Sequence, residues 1–232
     1  MLIDGMFLAS FADTFEKCFI RDDRYKLLLQ GIWVTIIISL IAAALGLLIG
    51  FLIALCNLSK IKVLNIFGKI YTDIIRGTPS VTQLMIIYFV VFATINLPKW
   101  LIAAFAFSIN SGAYVSEIIR AGILSIDKGQ TEAGRSLGLS AGQTMRSIII
   151  PQAVKNIFPA MCNEFITLIK ETAIVGYVGL VDIQKAGDFI KSATYEAFMP
   201  LIATAVIYFI IIKGLTLLLG SFEAKLRKSD NR

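Results

Sequence analysis

The 232-residue chain contains no histidine. That removes imidazole acid–base chemistry and most zinc sites. Its three cysteines, Cys18, Cys56 and Cys162, are widely scattered with no C-x-x-C spacing, so they point to neither a metal cluster nor an evident disulfide. No G-x-x-x-x-G-K-[ST] phosphate loop occurs, which excludes ATP binding of the P-loop kind. Charge is scarce, at 16% of residues against about 25% in a soluble domain. A basic groove with interleaved aromatics is also missing, so the net charge of +6 is no sign of nucleic-acid binding. Basic residues crowd the cytoplasmic loops of membrane proteins instead. The opening "MLIDGMFLASFA" lacks a basic leading region and carries Asp4 in its apolar stretch. It is expected to form a short interfacial or partly buried helix rather than a cleavable signal.

What the chain has is apolar length. Hydrophobic residues make up 57%, mean hydropathy is +0.79, and the excess sits in long blocks. A bilayer core of about 30 Å asks for about 20 such residues per helix. Continuous runs, rather than alternating segments of about 10 residues, exclude a barrel. The reading is an all-α integral membrane protein. Five spans can be drawn at about 29–56, 79–95, 100–123, 148–169 and 197–219, with polar interruptions in the third and fourth. They make a transmembrane domain over 29–221, preceded by an N-terminal segment over 1–28 and followed by a basic tail over 222–232.

Lysine and arginine set the orientation. The first-to-second loop holds Lys60, Lys62, Lys69 and Arg76, the third-to-fourth loop Lys128, Arg135 and Arg146, and the tail Lys225, Arg227, Lys228 and Arg232. The opposite side has only Lys99, Lys185 and Lys191 between spans. The N-terminus is therefore expected outside and the C-terminus in the cytoplasm. Lys17, Arg21, Arg24 and Lys26 dissent, against three loops that agree.

Two helix faces stand out. Ala42, Gly46, Gly50 and Ala54 recur every four residues, as do Ser108, Gly112 and Ser116. Such rows let backbones approach closely in membranes, although small residues are also common there without that purpose. In the fourth span Gln152, Asn156, Asn163 and Thr167 follow at helical spacing with Pro159, flanked by Lys155 and Glu164. The third span offers Asn110, Tyr114 and Glu117, with Ser111 beside them. Groups of this kind avoid lipid and face the bundle or a wet cavity. Asn110, Ser111, Asn163 and Glu164, the deepest, fit either a hydrophilic path or interhelical hydrogen bonding. Glu117 and Arg120 fit a local i,i+3 ion pair.

The polar insert "TEAGRSLGLSAGQTMRSIIIPQA" lies between apolar blocks and, by the orientation above, in the cytoplasm. Asp127 with Gln130, and Ser140 with Gln143, have capping-box spacing. Gly138 suits the left-handed position that ends a helix. Two short helices meeting at a bend are expected over about 127–147. Glu132, Ala133 and Gly134 give a face with little side-chain bulk, which a partner surface could approach closely; a structured but inert loop is the alternative.

These residues resemble the cytoplasmic signature of bacterial ABC importer permease subunits: Glu-Ala-Ala, three residues, Gly, nine residues, then Ile-x-Leu-Pro. The chain has Glu132-Ala133-Gly134, Gly138 and Ile148-Ile149-Ile150-Pro151 at matching spacings, with Gly134 for alanine and Ile150 for leucine. "RGTP" (76–79), "SGAYVSEIIRAGI" (111–123), "NEFITLIKET" (163–172) and "GLVDI" (179–183) look like the polar amino-acid branch. The resemblance covers about 28–226. It implies the type I importer permease fold with cytoplasmic coupling helices, sited in the cytoplasmic (inner) membrane. The implied partners are a cytoplasmic ABC ATPase dimer, a second identical or related permease, an extracytoplasmic solute-binding protein, an amino-acid substrate and membrane lipid, with no nucleic acid. It implies no catalysis and no cofactor or metal held by this chain, ATP being used by the ATPase. Glu132, Ala133, Gly134 and Gly138 would couple to that ATPase, and "KET" (170–172) would lie near the external gate. An ion-coupled carrier using Glu164 as a proton site is the competing reading, weakened by the absence of a visible internal repeat.

Overall fold

From Leu27 to Leu58 no charge and no proline interrupts the chain, and this stretch lies in one helix, α1 (Tyr25–Leu58). The computed structural model describes residues 11–228, and all regular structure among them is helical. At 34 residues, α1 is about 51 Å long, enough to cross a bilayer at a tilt.

The next segment departs from the expected loop. It is a 15-residue helix, α2 (Lys62–Arg76). Lys62, Lys69 and Arg76 recur every seven residues, a helical period. Val63, Phe67, Ile70 and Ile74 form an exposed apolar stripe on it. Asn65 on α2 donates to the Asn57 carbonyl (2.5 Å), which fastens it to the end of α1. Gly77 and Pro79 then break the chain, and α3 (Ser80–Ile86), extended by a π-helical turn over Ile87–Val91, leaves at 104° to α2. Regular helix over 80–91 spans about 18 Å, and α2 with α3 has the length and composition of a broken span or a re-entrant loop.

Beyond it lie α4 (Lys99–Leu124), α5 (Lys128–Ser136), α6 (Ala141–Thr144), α7 (Ile150–Glu171), α8 (Ile183–Thr194) and α9 (Phe198–Lys228). The helices α1, α4 and α9 each have the length and hydropathy of a span. The 22-residue α7 covers the expected fourth span but carries polar residues along its length, with Pro151 in its first turn and Pro159 inside. The N-terminal segment packs against α8, Cys18 and Phe19 being buried with Ala186 and Ile190. Lys17 there pairs with Glu196 in the α8–α9 connection (3.0 Å). Residues 1–10, on which the expected leading helix partly falls, and the last four of the tail lie outside the described residues.

The core of the bundle is the α1–α4 contact. Ala42, Gly46, Gly50 and Ala54 are all buried, as are Ser108, Gly112 and Ser116. A Cβ on Gly46 would sit 3.1 Å from Ser111 Cβ; one on Gly50 would sit 2.9 Å from the Gly112 carbonyl and overlap Val115. A Cβ on Gly112 would sit 2.7 Å from Ile49. The small-residue rows thus serve packing, bringing two backbones together where no hydrophobic force between helices is available. Overpacking a fitted interface costs about 1–3 kcal/mol. Gly50→Leu should therefore lower the thermal midpoint of the detergent-solubilised chain markedly. Gly214→Leu should not, since nothing lies within 4 Å of a Cβ there.

Candidate functional site

The polar insert folds as a helical hairpin. Asp127 Oδ1 accepts from the Gly129 N–H (2.6 Å) and opens α5. The reciprocal half of the expected capping box is not made. Gln130 turns instead toward α7, where its Oε1 accepts from Gln152 Nε2 (3.3 Å). The bend is at Gly138, with φ +83°, a conformation that glycine adopts without the steric cost a Cβ brings. There the Leu139 N–H donates to the Gly134 carbonyl (3.2 Å) and Arg135 donates to the Leu139 carbonyl (2.8 Å). Arg135 is thus tied to its own bend. Ser140 and Gln143 form a complete capping box: Ser140 Oγ accepts from the Gln143 N–H (3.2 Å) and Gln143 Oε1 from the Ser140 N–H (2.8 Å). Then α6 runs through a π-helical turn, Met145–Ile149, straight into α7.

The low-bulk face divides in two. Glu132 and Ala133 are exposed, as is Gly138. Gly134 is buried and points the other way: a Cβ there would lie 2.8 Å from Thr144 Cγ2 and 2.9 Å from Ile148 Cδ1. The glycine in place of the signature's second alanine therefore lets α5 close onto the α6–α7 arm. It does not lie on the outward face with Glu132 and Ala133. The hairpin is also tied to the bundle. Asn156 donates to Ser125 Oγ (2.9 Å), and Gly122 of α4 makes room for Ile157 of α7. Of the polar stripe, Gln152 thus holds α5 to α7, and Asn156 holds the end of α4 to α7 at the base of the hairpin.

The deeper polar residues do not converge on one point. Ser111 Oγ donates to Glu164 Oε1 (2.8 Å), joining α4 to α7 in the middle of both helices. Asn110, buried, donates to Gln83 Oε1 on α3 (2.9 Å). Gln83 in turn donates to the Ile75 carbonyl (2.7 Å) and to Thr78 Oγ1 (2.7 Å), satisfying acceptors freed by the α2–α3 break. Asn163 is exposed and lies with Cys162 beside Thr216, Gly220 and Glu223 of α9. Glu117 and Arg120 form the expected i,i+3 ion pair, and the Arg76 guanidinium lies 5.3 Å over the Tyr114 ring. Past α7, Thr172–Val178 is a 3-10 segment closed by Gly179 at φ +75°. Gln83 carried no signal as an isolated glutamine in an apolar run; the adjacent Arg-Gly-Thr-Pro break, with its unpaired carbonyls, was the available one.

Residues 46–228 match the family described as "Binding-protein-dependent transport system inner membrane component". The chain is 42% identical over 205 residues to the arginine transport system permease protein ArtQ of Bacillus subtilis, covering 88% of this chain and 94% of that one. It is 35% identical over 204 residues to the glutamine transport system permease protein GlnP of Escherichia coli, covering 87% and 93%. Its fold superposes with a TM-score of 0.82 on a chain of 42% identity, described as "Crystal structure of an amino acid ABC transporter with histidines", covering 89% and 98%. At 20% identity and a TM-score of 0.72, the MetNI methionine transporter in inward-facing conformations shares the fold. The reading of Glu164 as the proton site of an ion-coupled carrier finds no support among these relatives.

Because Gly134 faces inward and Ala133 outward, their larger variants should differ. Gly134→Leu should pry α5 from α6 and speed limited proteolysis within 128–149. Ala133→Leu should leave the proteolytic pattern unchanged.

Proposed function

Because the chain belongs to the family of binding-protein-dependent transport system inner membrane components, we propose that it is the membrane-spanning permease subunit of an ATP-driven importer of polar amino acids. It is a transporter subunit, not an enzyme, and ATP hydrolysis belongs to a separate ATPase subunit. The observation that carries the mechanism is the capped hairpin of α5 and α6, exposed on one side and continuous with α7 on the other.

In this reading Glu132 and Ala133 meet a groove on a cytoplasmic ATPase dimer, Gly138 sets the bend, and Gly134 keeps the two arms closed. Closure of the ATPases on ATP then moves a stiff lever rather than a loop. The N-terminus and the α8–α9 connection lie outside, which the Lys17–Glu196 pair supports by joining them at one end. The hairpin and the C-terminus lie in the cytoplasm. An external solute-binding protein delivers the amino acid, and a second permease, identical or related, completes the pore.

Inside the bundle the Ser111–Glu164 bond is the group best suited to a solute. A carboxylate among helices, with the Ser111 hydroxyl donating to one of its oxygens, keeps acceptor capacity for an ammonium group. Asn163, open beside α9, and Asn110, held on Gln83, would flank the route. Protonated α-amino groups and cationic side chains are the chemistry such a carboxylate recognises.

Reconstitution of the permease with its ATPase and binding protein in proteoliposomes tests this. ATP-dependent uptake of a radiolabelled polar amino acid is expected. Replacing Glu132 and Gly138 should abolish it while the spans still insert and assemble. Glu164→Gln should raise the KM for the amino acid more than it lowers the maximal rate. Uptake that follows a proton gradient without ATP would overturn the assignment.

A further inference from the structure

The outer end of the bundle holds a buried carboxylate that neither the hairpin nor the Ser111–Glu164 pair uses. Asp182 is fully buried. Its side chain accepts from the N–H groups of Gln184 (3.1 Å) and Lys185 (3.0 Å), and so caps α8. Its Oδ2 also accepts from the Tyr208 hydroxyl of α9 (3.2 Å). No lysine or arginine side chain pairs with it among the described residues. A helix cap alone asks for a surface aspartate or serine, and burying the carboxylate without a counter-ion costs stability.

Its neighbours show four elements meeting there. Gly31 of α1 lies against the Asp182 backbone so closely that a Cβ would be 2.6 Å from the Asp182 carbonyl oxygen. Thr35 of α1 and Thr172, the first residue of the 3-10 segment, stand beside the Tyr208 hydroxyl and are both fully buried. Thr35 Oγ1 has no partner of good hydrogen-bond geometry, whereas Thr172 Oγ1 donates to the Ile169 carbonyl (2.7 Å). Farther along α8, Gly187 packs against Thr204 and the Pro200 carbonyl at the start of α9. The Asp182–Tyr208 bond joins α8 to α9, and α1 packs against the same point through Gly31, with Thr172 alongside.

We infer that Asp182 is a positioning residue, and that its bond to Tyr208 pins the outer segment Thr172–Thr194 onto α1 and α9. It keeps that segment in register when α7 is driven from the hairpin. Movement entering at the cytoplasmic end then reaches the outer end of the passage rather than being absorbed at the left-handed Gly179 joint. This rests on the importer reading above for its functional consequence, but the pinning itself is a property of the fold.

The test uses the full complex of permease, ATPase and binding protein, comparing wild type with Tyr208→Phe, Asp182→Asn and the double variant. Two readouts are taken: amide hydrogen exchange of the assembled complex, and amino acid imported per ATP hydrolysed in proteoliposomes. For each single variant the inference predicts faster exchange confined to about 172–194. It also predicts a several-fold loss of import per ATP, with binding-protein-stimulated hydrolysis retained. The double variant should be no worse than Asp182→Asn, because the bond that Tyr208→Phe removes is one of those the Asp182 carboxylate makes. Unchanged exchange and unchanged import per ATP overturn the inference. So does protection lost evenly across the chain, which marks a residue needed only for folding. A wild-type complex that imports nothing on ATP would sink the importer reading instead, while the exchange arm still decides the pinning.

Discussion

The close approach of α1 and α4 is the constraint on which the other features rest. Two backbones meet along Ala42, Gly46, Gly50 and Ala54 on one side and Ser108, Gly112 and Ser116 on the other, all buried. Lipid is as apolar as the helix surface, so contact and fit supply the attraction. The same approach places Ser111 at the seam, its Cβ facing Gly46 and its hydroxyl turned to Glu164. It also brings Tyr71 of α2 to the Ile109 carbonyl (2.6 Å), which seats the broken pair α2–α3 against α4. The polar pairs of the bundle interior are thus held by rows of small residues whose own hydroxyls, on Ser108 and Ser116, donate to carbonyls of their own helix.

Around that pair the chain is tied at both ends. At one end the hairpin is closed on itself by Gly134, capped at Asp127 and Ser140, and fastened to the bundle through Gln152 and Asn156. At the other, α8 is set into the α1–α9 groove by Asp182, Tyr208 and two glycine contacts. Hydrogen bonds from side chain to backbone at turns and caps are individually modest, about 0.5–2 kcal/mol. Their placement matters more than their sum. They sit where a helical rod would otherwise flex, and they turn a set of spans into one body with a handle.

The sequence made legible whatever has a strong local signature. The long apolar helices, the small-residue rows, the Ser140–Gln143 box, the left-handed Gly138 and the Glu117–Arg120 pair follow from spacing alone. The signature motif carried the family. What it concealed were choices settled by tertiary contact. Read by charge, the 60–76 stretch looks like a basic loop, whereas its seven-residue lysine–arginine period belongs to an amphipathic helix. Gln130 has capping-box spacing but turns to α7, because Gln152 competes for it. Gly134 reads as part of an outward face, and only the position of Thr144 and Ile148 shows that it faces inward. Asp182 sits in a plain N-cap pattern; its burial against Tyr208, 26 residues later, has no local trace.

The hairpin and the bundle are expected to move together. Spin labels at two exposed positions test this directly, Leu137 at the bend and Leu55 on α1, in a chain whose three native cysteines are replaced. The distance within one chain should stay the same when ATP is added to the assembled, reconstituted complex, while the distance from the Leu137 label to a label at the bend of the second permease subunit, identical or related, changes. A Leu137–Leu55 distance that shifts with ATP would show the hairpin hinging on its own joint, and would contradict the account.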